Sequence, residues 1–136
     1  MFFSCIPNQG NLKAPIFEHK EIQKNKDINI YYYNNGKMKF EIKRFNNKLD
    51  GCSKYWSEYG NLINEVCYEN DILHGFWKEY FSSGETKYIV SYTYGLKDSY
   101  EYWYYENGDI KSKTLFKDGK QENKTLRWNE KGRLIY

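Results

Sequence analysis

The stretch Tyr80-Phe81-Ser82-Ser83-Gly84-Glu85-Thr86-Lys87-Tyr88-Ile89-Val90-Ser91-Tyr92-Thr93-Tyr94-Gly95 decides the fold. After Gly84, the residues Thr86, Tyr88, Val90 and Tyr92 alternate with Glu85, Lys87 and Ser91. A period of two is that of a strand with one face turned to a core. Ser83-Gly84 opens the run and Tyr94-Gly95 closes it, and both are turn dipeptides. The stretch therefore predicts a strand bounded by two chain reversals.

Working outward, the same pattern recurs along the chain. Gly36, Gly60, Gly84, Gly108 and Gly132 fall every 24 residues, each preceded at four residues by an aromatic: Tyr32, Trp56, Tyr80, Tyr104 and Trp128. Two residues after the glycine stand Met38, Leu62, Ile110 and Leu134, with Thr86 the exception. Eight after it come Tyr68, Tyr92 and Phe116, with Arg44 breaking the first unit. Second turns follow at Asn46-Asn47, Asn70-Asp71, Tyr94-Gly95 and Asp118-Gly119. Asn35-Gly36 and Asn107-Gly108 suit type I′ turns, whose two central residues both need positive φ. Each unit then reads as strand, tight turn, strand, looser turn. A hairpin alone is marginal in water, so such units must share one sheet.

Composition agrees with strands. Of 136 residues one is alanine and two are proline, while 20% are aromatic. That balance disfavours a helical bundle and favours β-structure. Lys+Arg total 21 against 18 Asp+Glu, a net charge of +3, too even for a nucleic-acid footprint. No apolar run approaches the roughly 18 residues of a membrane-spanning helix. Cys5, Cys52 and Cys67 are an odd number with no CxxC pair, so a disulfide framework is not expected and the thiols read as buried or incidental.

The N-terminal part departs from the register. Gly10-Asn11-Leu12 resembles the start of a unit, with Ile16 in phase, but Gly10 precedes Gly36 by 26 residues. The polar segment Glu18 to Asp27 is expected to absorb the difference as a long turn. Residues 1–27 thus read as a degenerate capping repeat over one sheet edge. Residues 28–136 read as the array, in units 28–51, 52–75, 76–99, 100–123 and 124–136. The expected fold is all-β, an elongated single-layer antiparallel sheet of tandem 24-residue hairpins.

The run Gly75-Phe76-Trp77-Lys78-Glu79-Tyr80-Phe81-Ser82-Ser83-Gly84, followed by Val90, Tyr92 and Gly95, resembles a MORN repeat. It is closest to the bacterial variant found in YwqK-type antitoxin proteins. The resemblance covers about residues 28–136 and is best over 76–99. It implies a non-enzymatic, protein-binding array, an antitoxin or immunity-type protein that neutralises a toxin partner. The second reading the resemblance admits is a cell-envelope scaffold or lipoprotein of the MORN type.

No catalytic constellation is legible. His19 lies in the polar N-terminal stretch, and His74 occupies a position equivalent to Asp50, Asp98 and Glu122, which reads as a solvated turn. Nucleophile, phosphate-loop and dinucleotide motifs are missing, and neither metal nor cofactor is expected. Recognition has more support. The even-numbered aromatics account for a structural ladder, while Tyr33, Tyr55, Trp77, Phe81, Trp103 and Tyr105 have the opposite parity and are expected on the other, uncovered face. Aromatic side chains on such a face mark binding sites. Tyr55, Trp77, Phe81, Trp103 and Tyr105 are the candidate partner-binding residues, with Trp77 equally readable as core. The lysines of the second strands are interleaved with Glu41, Glu65 and Glu85, so single-strand nucleic-acid binding ranks third. The open edges could pair two copies into a homodimer. The expected location is the cytoplasm. Phe3-Ser4-Cys5 is also similar to the end of a lipoprotein signal, which would put a lipid-anchored chain in the envelope and supply its one route to a membrane.

Overall fold

The computed structural model describes residues 26–135 and the backbone of residues 19–23. The strands are β1 (His19–Gln23), β2 (Lys26–Tyr32), β3 (Met38–Phe45), β4 (Lys48–Leu49), β5 (Gly51–Trp56), β6 (Leu62–Glu69), β7 (Ile72–Tyr80), β8 (Thr86–Thr93), β9 (Leu96–Lys97), β10 (Ser99–Tyr104), β11 (Ile110–Lys117), β12 (Lys120–Gln121) and β13 (Leu126–Arg127). All belong to one antiparallel sheet, in the order β1-β2-β3-β5-β6-β7-β8-β10-β11-β12, with β4, β9 and β13 pairing β3, β8 and β11. The all-β array of tandem hairpins predicted from the glycine register is the observed architecture. Gly10 to Ile16 and Cys5, read above as a degenerate repeat start and a lipidation site, lie outside the described residues.

Three local expectations are corrected. The segment expected as a long turn contains β1, whose His19–Gln23 pair with Ile30 back to Lys26. A charged composition does not exclude a strand at a sheet edge, where lysines are favoured. The two kinds of turn also exchange roles. At the repeat glycines the amide of Gly36 donates to Tyr33 O at 2.9 Å and that of Tyr33 to Lys37 O at 2.8 Å, and the pattern recurs at Gly60, Gly84, Gly108 and Gly132. Only the glycine takes positive φ there, which describes a three-residue loop rather than type I′. The two-residue turns are the second ones, where Asn46 and Asn47, and Asn70 and Asp71, both have positive φ. Finally, His74 lies inside β7 rather than in a turn.

A register shift follows each first turn. Tyr31 faces Phe40 but Tyr32 faces Met38, which leaves Lys39 as an extra residue on β3. Ile63, Lys87 and Lys111 are extra in the same way. Beyond this bulge, odd residues of the first strand oppose even residues of the second: Trp77 faces Val90, and Trp103 faces Tyr88. Directly opposed residues share a face. One face, the core face, therefore carries the row Ser53, Val66, Trp77, Val90, Glu101 and Thr114. Its members Ser53 and Val90 are 0% exposed, and Val66 and Thr114 are also buried. Beside it, large residues oppose small ones: Tyr68 faces Gly51, Tyr92 faces Gly75, and Phe116 faces Ser99. The outer face carries Glu41, Lys54, Glu65 and Lys78 as an alternating cross-strand ladder.

The cysteines also differ from expectation. Cys52 and Cys67 are directly opposed on β5 and β6 and form a disulfide, with Cα atoms 3.9 Å apart. An odd cysteine count argues against a framework of bridges but not against one bridge. Their even and odd numbers hide the pairing, which only the opposite-parity register brings together.

Gly51 and Gly75 have φ of 90° and 96°, and the equivalent Ser99 has 100°. A Cβ at Gly75 would also lie 3.1 Å from Cys67 Cβ. Ser99→Gly is therefore expected to stabilise the protein by about 1 kcal/mol and Gly75→Ala to destabilise it by at least that much. Urea unfolding midpoints check both. Removing the disulfide as Cys52→Ala/Cys67→Ala should lower stability by up to about 3 kcal/mol, the value for a loop of this length, on the same measurement.

Candidate partner-binding surface

The five residues singled out by parity do not share one open face. Tyr55 is half-buried on the core face, packed on Phe40 at a ring separation of 5.9 Å, with Tyr31 beyond at 4.8 Å from Phe40. Trp77 is half-buried in the core row between Val66 and Val90, and its Nε1 is enclosed without a hydrogen-bond partner. Its core reading is the one the packing supports. Phe81 and Tyr105 stand at the first turns, where their amides donate to Glu85 O and Asp109 O at 2.8 Å. The Tyr105 hydroxyl also donates to Trp128 O at 2.8 Å, and Lys111 Nζ lies 5.5 Å from its ring centre. Tyr33 makes the equivalent bond to Trp56 O, so this turn tyrosine ties one unit to the next.

Trp103 is the exposed member, at 37%. Its ring lies 4.5 Å from that of Tyr88, which is buried beneath the sheet surface. The Tyr88 hydroxyl donates to Glu101 Oε2 at 2.9 Å, and Lys97 Nζ binds the same carboxylate. Lys97 Nζ also sits 4.8 Å from the Phe116 ring centre. The four groups fix one another, so Trp103 rests on a braced platform rather than a loose surface. Burial first, and then the Glu101 hydrogen bond, hold the Tyr88 hydroxyl well above its ordinary range.

The reading by parity overlooks Tyr100. On β10 the sequence Tyr100-Glu101-Tyr102-Trp103-Tyr104 is aromatic on both faces. Tyr100, Tyr102 and Tyr104 line up along the outer face with ring separations of 5.9 and 6.0 Å. The signal was present as aromatics at both parities in one strand, which a single-layer sheet can only place on opposite sides. Ile72, Tyr94 and Leu96 are further exposed apolar groups at the two-residue turns. His74 packs on Tyr94 there, its Nδ1 3.7 Å from Glu69 Oε2. Cys67, being bridged, offers no thiol to His74. Among the described residues no group of three His, Cys, Asp or Glu side chains could hold a metal ion. No helix of the described residues is long and apolar enough to cross a membrane.

The fold and this surface define a tandem β-hairpin array with aromatic patches and one braced cluster. Three segments of the chain match the family described as MORN repeat variant, at residues 28–47, 49–70 and 97–118. No curated protein is a significant match to the sequence. Among solved structures, the chain is similar to the glycosylation associate protein complex from Streptococcus agalactiae, at 14% identity over 82% of this chain and 21% of that one, with a TM-score of 0.43. It is also similar to the accessory secretory proteins 1, 2 and 3 of Streptococcus pneumoniae, at 12% identity over 82% and 21%, with a TM-score of 0.29. The chain thus spans about a fifth of the length of the chains it matches.

The raised tyrosine has a stability consequence. The unfolded hydroxyl ionises near pH 10 while the folded one does not, so Tyr88 contributes stability that is present below pH 10 and lost as pH rises above it. Tyr68, Tyr80 and Tyr104 are raised as well, chiefly by burial. Unfolding free energy measured across pH 8 to about 12 should fall above pH 10, and fall less steeply in Tyr88→Phe. An identical slope in the variant would remove Tyr88 as its source.

Proposed function

We propose that this chain is a non-enzymatic protein-binding module that holds a partner on the core face around Trp103. The observation that carries the reading is Trp103 itself, exposed at 37% and fixed against buried Tyr88. A rigid aromatic with one face free and the other packed loses little conformational freedom on binding, which is the property of hot-spot anchors. The finer reading is neutralisation of a toxin-like partner by surface occlusion, which requires no catalytic group. It rests on the resemblance to antitoxin-type repeats and is an analogy. A second copy of the chain would pair at the last edge, where Leu134 and Ile135 are exposed.

A specific observation favours the envelope scaffold as the second reading. Disulfides persist in oxidising compartments and are rare in the cytosol. The Cys52–Cys67 bridge therefore supports an envelope location over the cytoplasmic one expected from sequence.

The experiment is capture of partners from lysate by the intact protein and by folded Trp103→Ala. Truncating a hot spot costs about 2 kcal/mol, roughly thirtyfold in affinity, so the variant should lose the partner. Equal capture by both would sink the assignment to Trp103, and identification of the partner separates toxin from scaffold.

A further inference from the structure

The unit 100–123 departs from the earlier ones at its final position, and a cleft opens there. In earlier units the first strand is interrupted only at Asp50 and Asp98, or not at all in β7. Gly51, Gly75 and Ser99 take positive φ at the resumption. The equivalent residue of unit 100–123 is Asn123, which does not take it. Residues 122–125 consequently form no strand, and the chain rejoins β11 only at Leu126 and Arg127. The segment is nevertheless pinned at both ends. The Glu122 amide donates to Leu115 O at 2.9 Å, Gln121 Nε2 to Asn123 O at 2.6 Å, and the hydroxyls of Thr114 and Thr125 are 2.9 Å apart.

Between this segment and β11 lies a cleft of about 380 Å³, lined by Tyr100, Lys113, Leu115, Asn123, Lys124 and Leu126. Its size is that of ligand-binding clefts. Both charged lining residues are lysines. The outer-face ladder explains why Lys113 has no carboxylate across from it. Glu41, Lys54, Glu65 and Lys78 alternate, but the row continues as Ile89, Tyr102, Lys113 and Leu126. Lys113 thus stands where the alternation would place a carboxylate, its cross-strand neighbours are the uncharged Tyr102 and Leu126, and among the described residues it makes no ion pair. Its Nζ lies 3.8 Å from the Tyr100 ring centre and 5.5 Å from that of Tyr102, held over aromatic faces beside the opening. Tyr100 and Leu126 are exposed at 40% and 41%.

We infer that this cleft is a docking site for an acidic, apolar-flanked peptide segment of a protein partner. A carboxylate of the segment meets Lys113 and Lys124, the adjacent apolar side chain packs on Leu115, Leu126 and Tyr100, and Asn123 offers its amide to the segment's backbone. The charge of the lining selects the partner: two lysines without a carboxylate reject basic segments and leave neutral ones without an ion pair. This inference deepens the proposed protein-binding role and rests on it, but the cleft is on the outer face. Its failure leaves the Trp103 capture result untouched, and the reverse also holds.

The test is fluorescence anisotropy of the full chain with three labelled probes: a peptide of alternating Leu and Glu, one of alternating Leu and Gln, and oligo(dT). The acidic peptide is expected to bind at least tenfold more tightly than the neutral one. Lys113→Glu should reduce that binding at least tenfold. Asn123→Gly, which lets the strand resume as at Gly51 and Gly75, should close the cleft and reduce it likewise while the protein stays folded by circular dichroism. Lys54→Glu, on the same face in β5 and away from the cleft, should bind as the native chain does. The inference is overturned if the two peptides bind alike, if neither binds, or if both cleft variants keep native affinity. Tight binding of oligo(dT) alone would overturn it in favour of single-stranded nucleic acid.

Discussion

A single-layer sheet has no second layer to cover its apolar side, and that constraint shapes this molecule. Most domains bury such a face against another element. Here the face must be covered from within, and the one-residue bulge after each first turn makes this feasible. By setting odd residues of one strand against even residues of the next, it places Trp77 beside Val66 and Val90 and sets Tyr68 and Tyr92 against glycine. Large side chains over small neighbours bury Ser53 and Val90 completely. Small polar groups then have to be satisfied locally, and the Lys43 amide donates to the Ser53 hydroxyl at 3.3 Å across the break at Asp50.

Turn stacking is the second consequence. Three of the two-residue turns donate to the unit before them: the Asp71 amide to Leu49 O, Gly95 to Leu73 O, and Gly119 to Lys97 O, at 2.8 to 2.9 Å. Tyr33 and Tyr105 make the corresponding links at the opposite end. Neighbouring units are thus clipped at one or both ends, while the middle of the sheet is held by ladder bonds and ring packing. Stability in such arrays is close to a sum of unit and neighbour terms. The disulfide acts within one unit only, linking the two strands of its hairpin.

The glycine spacing carried the architecture, because a 24-residue period with turn dipeptides admits few alternatives. The faces were not legible in the same way. Parity counting assumes that a strand pair keeps one register, and the extra residues Lys39, Ile63, Lys87 and Lys111 break that assumption in every unit. Nothing in a lysine or an isoleucine marks it as a bulge. Tyr55, Trp77 and Trp103 therefore moved to the core face, and the Cys52–Cys67 pair stayed hidden. Of the candidate site, Trp103 was found for a reason that the register then reversed. Tyr100 was missed because its even number placed it with the structural aromatics. Exposure depends on what the neighbouring unit puts alongside, and that is a property of pairs of units.

In a repeat array, what is common to all units builds the sheet, and what differs between them is available for recognition. The differences here are physical and local. The core row holds Ser53, Trp77 and Glu101 at one equivalent position. Only Glu101 is charged, and it organises Tyr88, Lys97 and the platform under Trp103. The strand-resumption position holds Gly51, Gly75, Ser99 and Asn123, and its succession runs from free adoption of positive φ, through a serine that adopts it at a cost, to an asparagine that does not. Both departures fall within residues 100–123, Glu101 on the core face of β10 and Asn123 beside the outer-face cleft at β11. The regular units toward the N-terminus, with their alternating charges and enclosed aromatics, then serve as the rigid support from which two dissimilar surfaces are presented.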